Sequence, residues 1–182
     1  MLVQETHIED LLVIKPAVFE DSRGYFMESY NARLFKEATK LNVQFVQDNE
    51  SKSNKGVLRG MHFQKPPHAQ GKLVRVVRGS VLDVALDIRK ESKTFGEYYS
   101  LVLSEENKTQ FYVPPGFAHG FLVLEDDTVF SYKCTGFYHK ESEVSLKWND
   151  PDINIEWGIK DPILSDKDKN SSVIWSNLNS PF

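Results

Sequence analysis

The sequence predicts an all-β domain, antiparallel and closed or sandwiched, with one or two short helices. Three observations carry this. Short runs rich in β-branched and aromatic residues recur at a spacing of roughly 8 to 12 residues, each bounded by charged residues or by Pro/Gly turns. Val81 to Ile88 alternates without a break, with Leu82, Val84, Leu86 and Ile88 on one face and Asp83, Ala85 and Asp87 on the other. A single stretch, Ala32 to Lys40, runs at helical spacing, through Leu34, Ala38 and Leu41.

From the N-terminus, Leu11 to Phe19 is an apolar run broken by Pro16, which lacks a ladder donor and so predicts an edge strand or an extended arm. Asp21-Ser22-Arg23-Gly24 reads as a turn, Tyr25 to Tyr30 as strand, and Asn31 as the cap of the helix. Val43, Phe45 and Gln47 alternate with polar neighbours up to Ser51, and Ser51 to Lys55 reads as loop. Gly56 to Ser80 holds two apolar runs around a Pro66-Pro67-His68 turn and reads as a β-hairpin carrying Arg59, His62 and Lys72. Tyr98 to Leu103, Thr109 to Val113, Gly120 to Leu124 and Thr128 to Cys134 are further strands, and Pro114-Pro115-Gly116 is a rigid turn delivering His119 at the mouth of one of them. Beyond Trp148-Asn149-Asp150-Pro151 the pattern loosens into a polar tail, Asp161 to Phe182, with one candidate helical turn near Ser165 to Asn170.

The 182 residues fit one domain, and 40% hydrophobic with 26% charged residues is ordinary for a globular chain. A net charge of −4 gives no electrostatic footprint for nucleic acid. One cysteine, Cys134, excludes an intrachain disulfide framework and any Cys-rich zinc site, and suits a reducing cytoplasm. The acidic N-terminal segment does not read as a signal peptide, and no run of about 18 apolar residues occurs, so the expectation is a soluble cytoplasmic protein with no membrane partner.

Two arrangements of histidines bear on chemistry. Small metal-binding barrels place a His-x-His pair and a Glu on adjacent strands, whereas His62 and His68 here flank a Pro-Pro turn and His119 lies on another segment. That spacing argues against a metal, although three imidazoles of the right geometry would suit a first-row ion. The other arrangement is acid–base catalysis, with His62 as base, Tyr132 as acid and Lys72 as electrostatic partner. Each also has a plain structural reading: a hydrogen-bonded strand His, a packing Tyr, a solvated strand-end Lys. Parity puts Thr128, Phe130, Tyr132 and Cys134 on one inward face. Arg59 and His62 would face opposite ways in a regular strand, so a bulge is required if both line one cavity, and Gly60 is the place for it.

Together the motifs GVLRGMHFQ, QGKLVRVVRGSVLDVALDIR, VPPGFAHGF, FYHKESE, WNDPDI and LSDKD resemble, in order and from Leu11 to about Asn170, the dTDP-4-dehydrorhamnose 3,5-epimerase family. The resemblance implies a cupin-like antiparallel jelly roll spanning residues 1–182, working as a homodimer, with the N-terminal strand and C-terminal tail packing on the barrel or on the dimer partner. It implies a nucleotide-sugar substrate, dTDP-4-keto-6-deoxy-D-glucose, and neither metal nor cofactor. Carried over to this chain, the family's base matches His62, its supporting carboxylate Asp168 and its proton donor Tyr132. Substrate contacts match Arg23, Glu28, Gln47, Asp48, Asn49, Arg59, Lys72, His119, Glu143 and Lys167, with Phe26 or Tyr138 stacking on the thymine. Relatives that epimerise one carbon, or that act on other nucleotide-linked keto sugars, share these motifs, so the resemblance leaves open the precise substrate and whether C3, C5 or both are inverted.

Overall fold

The computed structural model describes residues 1–171 and 173–182. Two antiparallel sheets face one another. The larger has six strands, in spatial order β1 (Leu2–Glu5), β2 (Leu12–Lys15), β10 (Gln110–Val113), β7 (Lys72–Arg78), β12 (Thr128–Cys134) and β5 (Gln47–Ser53). The smaller has five: β13 (Glu143–Ser145), β6 (Leu58–Gln64), β11 (Phe117–Val123), β8 (Ser80–Asp87) and β9 (Tyr98–Ser104). A separate hairpin, β3 (Val18–Asp21) with β4 (Gly24–Met27), turns at Ser22-Arg23 as expected. This is a jelly roll, the cupin-type architecture.

Period-two patterning explains the layers. On β8, Val81 and Ala85 face the space between the sheets and pack with Val74, Phe111, Phe121 and Phe130. Val84 and Leu86 face outward, yet they are fully buried, because the tail covers that side with Ile153, Ile155, Trp157, Leu164, Trp175 and Phe182. The polar tail of the sequence is therefore a third layer, whose apolar residues are spaced too irregularly to show a period. Within it the candidate helical turn is a short helix, α2 (Asp166–Lys169).

The first helix, α1 (Ala32–Thr39), is capped by Asn31, whose side chain accepts from the Leu34 amide, and it ends at Lys40 in the left-handed region. Eight residues are too few to hold a helix in water, so tertiary packing must do it. Phe35 supplies that packing, buried edge-on against Phe45 and Tyr112 with ring centroids 5.6 and 5.7 Å away. Burying such a ring stabilises by roughly 1.5 to 3 kcal/mol.

Several local expectations change. Gly56 to Ser80 is not a hairpin: β6 pairs with β11 and β13, while β7 pairs with β10 and β12 in the opposite sheet. Turn residues between them signalled a reversal but not which sheet the returning strand joins. The run after Leu11 is not at an edge, since β2 lies between β1 and β10 and Pro16 falls just beyond it, where no ladder donor is needed. The strand expected from Val43 starts at Gln47 and continues through Ser53, so Ser51 to Ser53 is strand and not loop; Val43 and Phe45 instead pack around Phe35. His119 sits within β11 and not at its mouth, because the strand begins at Phe117. No helix among the described residues is long and apolar enough to cross a membrane.

Candidate active site

A cavity opens between the sheets as two adjoining lobes of about 340 and 420 Å³, and both lobes are lined by His62, Lys72, His119, Tyr132 and Glu143. His62 and His119 come from neighbouring strands of the smaller sheet, directly opposite each other in register, while Lys72 and Tyr132 come from the larger sheet. Inward parity of β12 delivers Tyr132 beside Phe130, as the sequence predicts.

Arg59 and His62 both line the cavity because β6 is bulged between them. His119 opposes His62 and Phe121 opposes Arg59, so β6 spends one residue more than β11 over the same span. Gly60 makes this possible. Its φ is +137°, and a Cβ there would lie 2.5 Å from the Gly120 Cα, a separation no side chain tolerates.

His62 Nε2 donates to Asp168 Oδ1 at 2.6 Å. The carboxylate is delivered by α2, and its side chain is only 2% exposed. Burial works against the Asp168 charge, but hydrogen bonds from His62 and Ser165 outweigh it and hold the carboxyl below its usual range. Burial lowers the His62 pKa below its ordinary 6.5, and Asp168 offsets this only in part. With Nε2 committed as donor, Nδ1 is left as the basic nitrogen of a neutral ring. Burial raises the Tyr132 pKa, so the phenol keeps its proton. Burial also lowers that of Lys72, whose ammonium is engaged by no hydrogen bond or ion pair among the described residues.

A second imidazole–carboxylate pair stands beside the first. His119 Nε2 donates to Asp83 Oδ1 at 2.8 Å, both side chains are buried, and Asp83 Oδ2 has no partner among the described residues. Asp83 was missed as a site residue although a signal existed: a carboxylate on the inward face of an alternating strand must find a donor. Gln64, Gln70, Ser51 and Phe121 also line the lobes and carried no such signal.

The remaining expected residues divide into two groups. Gln47 and Asn49 face the cavity, joined by a 3.0 Å hydrogen bond, and Gln47 accepts from the Tyr138 amide. Glu143 receives the Lys167 ammonium at 2.9 Å and the Tyr138 hydroxyl at 3.1 Å, so Tyr138, Glu143 and Lys167 form part of the wall. Asp48 does not join them, since parity turns it to the other face of β5, where it pairs with Lys133 at 2.9 Å. Arg23 is also absent: it lies on the exposed hairpin, bound to Asp21. Glu28 follows that hairpin and accepts from Asn31, and Phe26 is 66% exposed there. His68 stacks on His139, with centroids 3.7 Å apart, and lines neither lobe, so the three imidazoles of the metal alternative do not converge.

These pKa directions set a pH profile. With His62 as base the ring has to be neutral to accept a proton, and kcat/KM would then hold level through neutral pH and fall only as pH drops below 6.5. Its alkaline limb should report Lys72, which burial shifts down from 10.5, and Tyr132, which burial shifts up from 10.0. Initial rates at subsaturating substrate between pH 4 and 11 check both; an acid limb centred above 6.5 would contradict the assignment of His62.

A jelly roll whose cavity sets a carboxylate-paired imidazole on one sheet against a buried phenol and, among the described residues, an unpaired lysine on the other has the layout that an isomerase of the epimerase class can use for proton transfer. The chain belongs to the dTDP-4-dehydrorhamnose 3,5-epimerase family, whose sequence model matches residues 5–175. It is 56% identical over 170 residues to dTDP-4-dehydrorhamnose 3,5-epimerase of Shigella flexneri, covering 93% of this chain and 94% of that one. Among solved structures, the enzyme of that name from Elizabethkingia anophelis is 55% identical with a TM-score of 0.92, covering 98% of both chains. A dTDP-6-deoxy-D-glucose-3,5-epimerase from Legionella pneumophila, solved in complex with dTDP-4-keto-L-rhamnose, is 47% identical with a TM-score of 0.90, covering 94% of this chain and 91% of that one.

Proposed function

We propose that this protein converts dTDP-4-keto-6-deoxy-D-glucose to dTDP-4-keto-L-rhamnose, inverting C3 and C5 in the formation of dTDP-L-rhamnose. The observation that carries this reading is the placement of His62 and Tyr132 on facing sheets around one cavity. Inversion requires a proton to leave one face of the sugar and arrive at the other, and a single base cannot reach both faces of a held ring.

The 4-keto group acidifies the protons on C3 and C5. His62 Nδ1 takes the proton, the C–H electrons pass to the ketone oxygen as an enolate, and Lys72 supplies the positive charge that stabilises it. Reprotonation of carbon from the opposite face, by Tyr132 at C5 and by solvent water at C3, gives the inverted centres, and His62 returns its proton to solvent between the two steps. Asp168 keeps the ring oriented and stabilises the imidazolium. Arg59, whose guanidinium also donates to Ser53, carries the fork geometry that suits the diphosphate. Gln47, Asn49 and Tyr138, which line the lobe that Asp168 does not, are the residues we assign to the nucleotide.

Arg23, Glu28 and Phe26 reach a substrate only if a second copy supplies them. The hairpin that bears Arg23 and Phe26 exposes Phe19, Tyr25 and Phe26 together, apolar area that invites a partner, and this supports the homodimer. Cytoplasmic residence fits a single unpaired cysteine.

Incubation with the substrate in D₂O without added metal tests the function. Deuterium at C3 and at C5 supports the double epimerase; uptake at one carbon marks a single-centre enzyme, and none at either overturns the reading. Tyr132→Phe removes the proton donor and leaves the packing of the ring. It should retain deuterium exchange while C5 inversion falls by about 10²-fold. A normal yield of L-configured product would remove Tyr132 from the mechanism.

A further inference from the structure

We infer that Ser165 is a positioning residue for the reaction, a third member that holds and tempers the carboxylate of the His62–Asp168 pair. The inference rests on the assignment of His62 as base. Ser165 occupies the cap of α2, and its hydroxyl does two things at once. It accepts from the Asp168 amide at 3.2 Å, and it donates to Asp168 Oδ2 at 2.9 Å. The two oxygens of Asp168 are thereby divided, Oδ1 for His62 and Oδ2 for Ser165. Ser165 also lines the cavity lobe that holds His62 and Asp168.

The chemical consequence follows from burial. Asp168 is 4% exposed, so no solvent shell orients its carboxylate or shares its charge. The bond from Ser165 does both, and it is one of the interactions that lower the Asp168 pKa. Without that bond the carboxylate becomes more basic and retains its short bond to His62. It then binds the imidazolium form more tightly, which raises the proton affinity of His62. The ring also loses its fixed angle to the substrate. Outer partners that orient histidines and carboxylates typically cost 10- to 100-fold when removed from metal sites, and a loss at the lower end of that range is expected for Ser165.

The experiment compares Ser165→Ala, Ser165→Gly and Ser165→Thr with the unmodified enzyme, in full pH profiles of kcat and kcat/KM. Gly caps a helix nearly as well as Ser but donates nothing, so it separates loss of the cap from loss of the donor. Ala and Gly variants should both show kcat about 10-fold lower, KM changed by less than about 3-fold, and the acid limb of kcat/KM moved to higher pH; Thr should restore the limb. The inference is overturned if the Ala and Gly limbs coincide with that of the unmodified enzyme or move to lower pH, or if Gly alone behaves normally, which would reduce Ser165 to a helix cap. His62→Ala and Asp168→Asn run in the same assay keep the two claims apart. Should both collapse while Ser165→Ala behaves normally, only this inference fails; should either retain full activity, the assignment of the base fails first.

Discussion

His62→Ala is expected to lower deuterium exchange at both C3 and C5 by about 10³-fold, because in the proposed mechanism one base serves both carbons. His119 is the other imidazole that lines the cavity lobes. Its Nε2 is bound to Asp83 on a different strand, so it stands opposite His62 in register without sharing its carboxylate. The loss should appear in kcat more than in KM, since the role proposed for the ring is proton transfer and not the holding of substrate. Exchange followed by mass spectrometry, beside a thermal melt confirming that the variant is folded, checks this. Exchange persisting at the unmodified rate would place the base elsewhere.

Lys72→Met is expected to lower kcat by about 10²- to 10³-fold, the roughly 3 to 4 kcal/mol that a preorganised donor to a developing oxyanion is worth in a dry site. The same substitution should leave the Tm unchanged or raise it. Burial holds the Lys72 pKa below 10.5, so the folded protein binds that proton less tightly than the unfolded chain does, and burying the lysine costs stability at pH values below the lowered pKa. That cost shrinks as pH rises through the lowered pKa, and a neutral thioether of similar length removes it. An active variant, or one that melts well below the unmodified protein, would show that Lys72 acts as a structural cation and not as the enolate partner. The opposed signs on activity and stability are what separate the two.

Much of the site was legible because strand parity is a local property. Thr128 to Cys134 and Val81 to Ile88 alternate in sequence, and side chains on a pleated strand must follow, which placed Tyr132 inward and put Asp83 on the face with Ala85. The conflict between Arg59 and His62 was equally local, and it foretold the bulge at Gly60. The same parity turns Asp48 away from Gln47 and Asn49, although the family motif had carried all three to the substrate.

By itself the sequence determined most of the strands between Leu58 and Cys134, which side of β8 and β12 faces in, where α1 begins and which family the chain resembles. These depend on sterics and patterning within a few residues, or on motifs kept in order. Only the tertiary structure decided that β6 and β7 lie in opposite sheets and that the tail forms a third layer. It alone brought Asp168 to His62 across 106 residues, paired Asp83 with His119, and left Arg23 and Glu28 on an exposed hairpin region away from the cavity. Such contacts are chosen by the burial of whole apolar faces, whose free energy depends on every segment at once and is written in no single stretch of the chain.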